Sequence, residues 1–289
     1  MAPPSSSTSP RIRREPPRYR QVTVRRVTSM TPRLLRVTLT GPELEGLTID
    51  EPAASVRLLL PTPGRDELVM PTWNGNEFLL SGGRRPTLRT LTPLRVDPEA
   101  LELDVEVVVH EGGVASTWAS TARTGEGAGA RAAVSGPGRG YAVDAGAPAF
   151  LLAGDETALP AIGQLLDVLP AGVPVQVHVE VAHPDARLPL PRPAVPDGVP
   201  EAAQSGPTDA TSPGRVEWHD LPAGAAPGDA LVAAVQGAEL VDGVKVWVAG
   251  EAASVQRIRK HLFEERGLSR SQCVVRGYWK HGRAGGGDD

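Results

Sequence analysis

The chain has 289 residues, room for about two domains, with 40% hydrophobic and only 4% aromatic residues. Its formal net charge of −4 and pI near 5.9 supply no global field for nucleic acid or for an anionic membrane surface. The lone Cys273 excludes an internal disulfide, and no apolar run approaches the roughly 18–20 residues of a membrane span. A cytoplasmic protein with no nucleic-acid partner and no membrane span is the expectation.

Residues 1–19 are rich in Pro, Ser and Arg, lack the apolar middle of a secretory signal, and predict a disordered basic tail. Short apolar runs then follow at Val22 and Val24, Leu34–Leu39 and Ser55–Leu60, broken by Thr31-Pro32 and halted by Pro61–Gly64. From Leu101 to Val109, Leu and Val alternate with Glu102, Asp104 and Glu106, the period of a strand with one buried face. Helical periodicity is almost absent before Phe150, so residues 20–146 read as a small β-barrel or sandwich.

The pattern changes at Ala149–Ala153, a short and wholly apolar strand. A helix follows Thr157 and ends before Pro170. Further strands are expected at Val175–Val181, Val216–His219, Val244–Ala249 and near Cys273–Tyr278, with helices at Asp229–Val235 and Ser254–Arg266. Alternating strands and helices predict a doubly wound parallel sheet over residues 147–283. Within it, residues 183–215 are Pro-rich and predict a mobile surface insertion, and residues 284–289 a flexible tail.

In such a sheet, ligands bind beyond the carboxyl ends of the strands. Two of those ends carry candidate turns, Gly154-Asp155-Glu156-Thr157-Ala158 and Gly250-Glu251-Ala252. Thr157 could cap the following helix and leave amides facing an anion. No GxGxxG follows the first strand, so the usual dinucleotide fingerprint is missing. In the first half, Arg89-Thr90-Leu91-Thr92 offers a cation beside small hydroxyls. The segment from Val109 and His110 through Gly113, Ala115, Ser116 and Thr117 offers a Gly-Gly turn into a helix start. Taken singly, each of these stretches is better read as an ordinary surface turn or loop. His178, between Val177 and Val179, reads as structural, and His183, His219, His261 and His281 show no metal-ligand spacing along the chain.

Seven segments taken together resemble the siderophore-interacting proteins, flavin-containing ferric-siderophore reductases related to the ferredoxin reductase superfamily. They are Thr31–Leu44, Arg89–Glu99, Val107–Ser120, Ser135–Gly140, Leu151–Ile162, Trp247–Gly267 and Arg276–Gly282, with GDETALPAI and GYWKHG among them. The resemblance implies an antiparallel Greek-key flavin barrel followed by a doubly wound parallel-sheet domain that binds NADH or NADPH. It also implies FAD as cofactor and a ferric siderophore as substrate. Arg89, Thr90, Leu91 and Thr92 should then lie against the flavin and its adjoining phosphate, and Val109, His110 and Gly113–Thr117 about the diphosphate. Gly154–Ala158 with Gly250 and Glu251 should line the nicotinamide cleft, with Tyr278 and Trp279 near the flavin. Arg139, Arg276, Lys280, His281 and Arg283 are the candidate basic rim for an anionic ferric siderophore. Leu91 stands where the family pattern has Tyr. That departure keeps two other readings open, a flavin enzyme adapted to a specialised biosynthetic substrate and a binding protein without turnover.

Overall fold

The computed structural model describes residues 17–124, 129–191 and 215–282. Residues 1–16, most of the predicted insertion and Arg283 with the C-terminal tail lie outside them.

The first half is a seven-stranded antiparallel sheet built from β1 (Tyr19–Thr31), β2 (Leu34–Thr40), β3 (Val56–Leu60), β6 (Thr87–Leu91), β7 (Pro93–Asp97), β8 (Glu102–Val108) and β9 (Arg131–Ser135). A separate small hairpin joins β4 (Thr72–Trp73) to β5 (Phe78–Leu79). The large sheet runs in the order β6-β3-β9-β1-β2-β8-β7. Its two edge strands, β6 and β7, are consecutive in the chain and separated only by Thr92. Two Cα steps cover at most about 7.6 Å. The sheet must therefore curl until its edges meet, and Thr92 sits at the seam.

The alternation along β8 places Leu103, Val105 and Val107 in the barrel core with Val22, Val24, Val37, Leu39, Val56 and Leu58. The opposite face differs from the expected solvent-facing one, because Glu102, Asp104 and Glu106 are also buried. Arginines of the neighbouring strands lie over them. Arg25 and Arg95 pair with Glu102, Arg95 with Asp104 and Arg36 with Glu106. Thr38 adds a hydroxyl bond of 2.6 Å to Asp104. Arg36 holds Glu106 as an ion pair, yet burial dominates and raises its carboxyl above the usual range.

Helix α1 (Val114–Thr121) follows β8. The second half is a five-stranded parallel sheet of β10 (Phe150–Asp155), β11 (Val175–Val181), β12 (Arg215–Asp220), β13 (Lys245–Glu251) and β14 (Cys273–Trp279), in the order β12-β11-β10-β13-β14. Helices α2 (Leu159–Val168), α3 (Asp229–Gly237) and α4 (Ala252–Lys260) pack on it, and α4 continues as a π-turn through His261–Glu265. Both faces of β10 are covered, Phe150 and Leu152 by one cluster and Leu151 and Ala153 by the other. That double burial explains why the strand reads as an unbroken apolar run. The start of the predicted insertion is packed, contrary to expectation. Ala186 is buried, Leu188 and Leu190 lie against the sheet core, and Arg187 pairs with Asp220.

The halves share one interface. Ala53 and Tyr141, from before and after β9, are buried in the core cluster of the parallel sheet. Arg33, in the β1–β2 turn, donates through Nε to Glu156 at 3.1 and 3.2 Å. Gln164 of α2 accepts from the Ala53 amide at 3.0 Å and donates to the Pro93 carbonyl at 2.6 Å.

Candidate functional site

Strand order reverses between β10 and β13, so a crevice opens beyond their carboxyl ends. Both expected turns are there, and one carboxylate binds them together. Oδ1 of Asp155 accepts from the Thr157 amide at 2.9 Å and from its hydroxyl at 2.5 Å. Oδ2 accepts from the Glu251 amide at 2.9 Å and from the Trp279 indole at 2.7 Å. Asp155 thus ties together the ends of β10, β13 and β14. Burial pushes its carboxyl up to about 6, outweighing those hydrogen bonds. A Cβ on Gly250 would stand 2.7 Å from Asp155 Oδ2, so only glycine admits this approach. Gly154 is equally tight, its missing Cβ lying 2.4 Å from that of Ala158.

The expectation that Thr157 caps the turn and leaves amides toward an anion is corrected here. Asp155 is the cap, and it takes the Thr157 and Glu251 amides itself. Glu156 is turned inward to Arg33 and to the Ala182 amide at 2.7 Å. Glu251 caps α4 through the Ala253 and Ser254 amides, and its Oε1 accepts from the His281 amide. Asp155, Glu156 and Glu251 are buried acids that brace the crevice wall, and they leave Ala158 packed beneath it. An acidic group at a strand end reads in sequence as a polar loop; its inward hydrogen bonds are a tertiary property.

The barrel seam meets this wall. The Tyr278 phenol in β14 lies close to buried Thr92 and to Arg276. Burial raises the Tyr278 phenol above its usual range, so it is neutral at physiological pH. Arg89 is half-buried in β6 and donates to the Leu88 carbonyl at 2.6 Å, while Thr90 is exposed. Leu91 is half-buried and packs against the barrel core. An aromatic ring at that position would have to displace core contacts or swing toward the seam.

Helix α1 begins with Gly113 as its N-cap, and no side chain caps it. Its first ladder bond runs from the Thr117 amide to the Gly113 carbonyl at 2.8 Å, so the amides of Val114, Ala115 and Ser116 precede the ladder. The His110 ring lies against Gly113, 2.5 Å from where a Cβ would stand. Ser116 is buried, and its hydroxyl accepts from the His110 amide at 3.1 Å, which closes the turn. The Val109 amide is bonded to the Arg33 carbonyl at 2.7 Å. A helix start that no side chain caps is the kind of terminus that receives anions.

Of the candidate rim, Arg139 and Lys280 are exposed. Arg276 is committed to the interface, its guanidinium donating to the carbonyls of Ala53 at 3.2 Å, Arg139 at 3.2 Å and Gly140 at 2.8 Å. This clasp brings Arg139 beside β14. Arg283 lies outside the described residues.

An antiparallel half-barrel followed by a parallel sheet, joined where the barrel seam faces the sheet, is the ferredoxin-reductase-like fold. Residues 23–141 match the siderophore-interacting FAD-binding domain, and residues 147–197 and 198–282 match the siderophore-interacting protein model. The chain belongs to the siderophore-interacting protein family. A siderophore utilization protein from T. fusca is similar over 93% of this chain and 95% of its own, at 32% identity and a TM-score of 0.74. The ferric vibriobactin reductase ViuB of Vibrio cholerae is 28% identical over 86% of this chain and 85% of its own. An uncharacterized protein of Mycobacterium tuberculosis is 36% identical over 71% of this chain and 69% of its own. Among the described residues, no helix is long and apolar enough to cross a membrane.

Proposed function

We propose that the protein is an FAD-dependent oxidoreductase that draws on NADH or NADPH to reduce the ferric iron of a siderophore, releasing ferrous iron. The observation that carries this reading is the approach of Tyr278 to Thr92 beside the 2.6 Å bond from Gln164 to the Pro93 carbonyl. It sets the barrel seam directly against the carboxyl edge of the parallel sheet, where an electron donor and an acceptor can share one crevice. When bound, FAD would supply the chemistry, accepting electrons in a pair and passing them on singly. The chain's own residues hold and orient it. Arg89 neutralises phosphate charge and the α1 amides receive the diphosphate, with His110 and Gly113 shaping the turn. Thr92 and Tyr278 meet at the seam, and Trp279, pinned by Asp155, stands at its edge with 37% of its surface exposed.

Gly154–Ala158 and Gly250–Glu251 form the wall against which the nicotinamide end would lie. That wall is acidic and its best amides are taken, so the phosphates of NADH or NADPH need basic partners elsewhere on the crevice. Arg139 and Lys280 are the exposed cations for an anionic ferric chelate. Oxygen-donor chelators hold the softer, less charged ferrous ion poorly, so reduction releases it.

The test is a ferrous-trap assay with FAD-loaded protein, a ferric siderophore and either nicotinamide nucleotide. Ferrous iron should accumulate only when protein, FAD and nucleotide are all present. FAD binding without any iron reduction, across catecholate and hydroxamate chelates, would overturn this reading in favour of a specialised flavin enzyme. Failure to bind FAD would favour a binding protein.

A further inference from the structure

Strand pairing assembles a group that spacing along the chain conceals. β11 and β12 are parallel neighbours with His178 opposite Glu217 and Glu180 opposite His219. Val177 and Val179 face the core shared with α2, so His178 faces the other side, as do Glu217 and His219 on either side of Trp218. His178 Nδ1 lies 3.1 Å from His219 Nε2 and 3.7 Å from a Glu217 carboxylate oxygen. One donor atom from each of the three residues falls within 4.8 Å of the others.

We infer that His178, Glu217 and His219 form a binding site for a divalent transition-metal ion of the zinc type, on the edge of the parallel sheet. Two nitrogens bound to a tetrahedral ion at about 2.0–2.1 Å lie roughly 3.3–3.4 Å apart. The His178–His219 separation of 3.1 Å is within a few tenths of that edge. The Glu217 carboxylate is 3.7 Å from His178 on a side chain 42% exposed and free to move inward, and the solvent side leaves a fourth position for water.

The chemistry of the pair agrees. His178 is buried, with Nδ1 turned to the other two residues. Burial lowers the proton affinity of both rings, so both are neutral at pH 7 with lone pairs for a metal. In the metal-free pair, one ring donates its proton to the other. On coordination, that ring carries the proton on its far nitrogen instead. Two imidazoles and one carboxylate suit zinc and its first-row neighbours, whereas calcium and magnesium prefer all-oxygen sets. A bound ion would clamp edge strand β12 to β11. This inference is independent of the iron-reduction reading.

The test is titration of the tag-free full chain with Zn2+ against a chromophoric indicator, repeated with Co2+ by visible absorption. The expected result is one equivalent of either metal, a raised melting temperature and no response to Mg2+ or Ca2+. His219→Ala and Glu217→Gln alter partly exposed positions and should keep the fold and FAD binding. Since loss of a partner behind a ligand already weakens metal about 10–100-fold, losing the His219 ligand should weaken it by about a hundredfold or more. No uptake of Zn2+ or Co2+ would overturn the inference, as would uptake unchanged in both variants.

Discussion

Asp155→Asn probes the crevice wall. Asparagine keeps the shape but offers one acceptor oxygen where the carboxylate offers two. The Thr157 amide and hydroxyl approach one oxygen, and the Glu251 amide and Trp279 indole the other. Turned one way, its NH2 group faces two obligate donors, the Glu251 amide and Trp279 indole; turned the other, it faces the Thr157 amide, while the Thr157 hydroxyl can rotate to accept. The lost bonds cost about 2–4 kcal/mol. Opposing this, the wild-type carboxyl titrates at about 6 in the folded chain against 3.8 ordinarily. That shift of about two units makes the ionised form roughly 3 kcal/mol less favourable in the native state. The two effects nearly cancel at pH 7, so pH is the informative variable. A raised folded-state value means that the native state holds the proton more tightly. The contribution of Asp155 to stability is therefore greatest below about pH 4 and falls as pH rises to about 6. Denaturant unfolding of both proteins between pH 4 and 7.5 should show wild type losing roughly 3 kcal/mol relative to the variant across that window. A constant difference, or wild type gaining on the variant as pH rises, would refute the reasoning and show that the four donors outweigh burial.

Other outcomes follow from the same contacts. Arg89→Ala should weaken FAD binding by about one to two powers of ten, the worth of a charge-assisted phosphate bond, as read by fluorescence titration. Unchanged affinity would place the phosphate elsewhere. Gln164→Ala strips the Ala53 amide and Pro93 carbonyl of a partner across the interface, and should cost about 1–3 kcal/mol in thermal or denaturant unfolding. Replacing residues 192–214 by a short Gly/Ser linker should leave the melting temperature nearly unchanged, because their Pro-rich composition cannot offset ordering entropy. Extending the replacement back to residue 186 should lower it, since Ala186, Leu188 and Leu190 pack on the core.

What was legible in the sequence follows from what each feature depends on. The unbroken apolar run around Ala149–Ala153 and the alternation along β8 are local patterns that burial imposes directly, and both lead to the observed strands. The barrel-then-parallel-sheet order follows from where helical periodicity begins. Features that depend on the partner strand were hidden. Glu102, Asp104 and Glu106 read as a wet face because nothing local reveals that Arg25, Arg36 and Arg95 cover them. Thr157 was a reasonable helix cap by residue type, but Asp155 holds that role because Glu251 and Trp279 converge on the same carboxylate. Arg276 reads as a surface cation, yet three carbonyls of the barrel loops take its donors. His178 and His219 are forty-one positions apart, and only parallel pairing makes them neighbours.

The most direct test of the account is titration of the FAD-free protein with FAD, followed by the visible flavin bands and by flavin fluorescence. Saturation at one equivalent, with weaker binding in Arg89→Ala, is the predicted result. A protein that stays colourless and shows no saturable change would contradict the account at its centre.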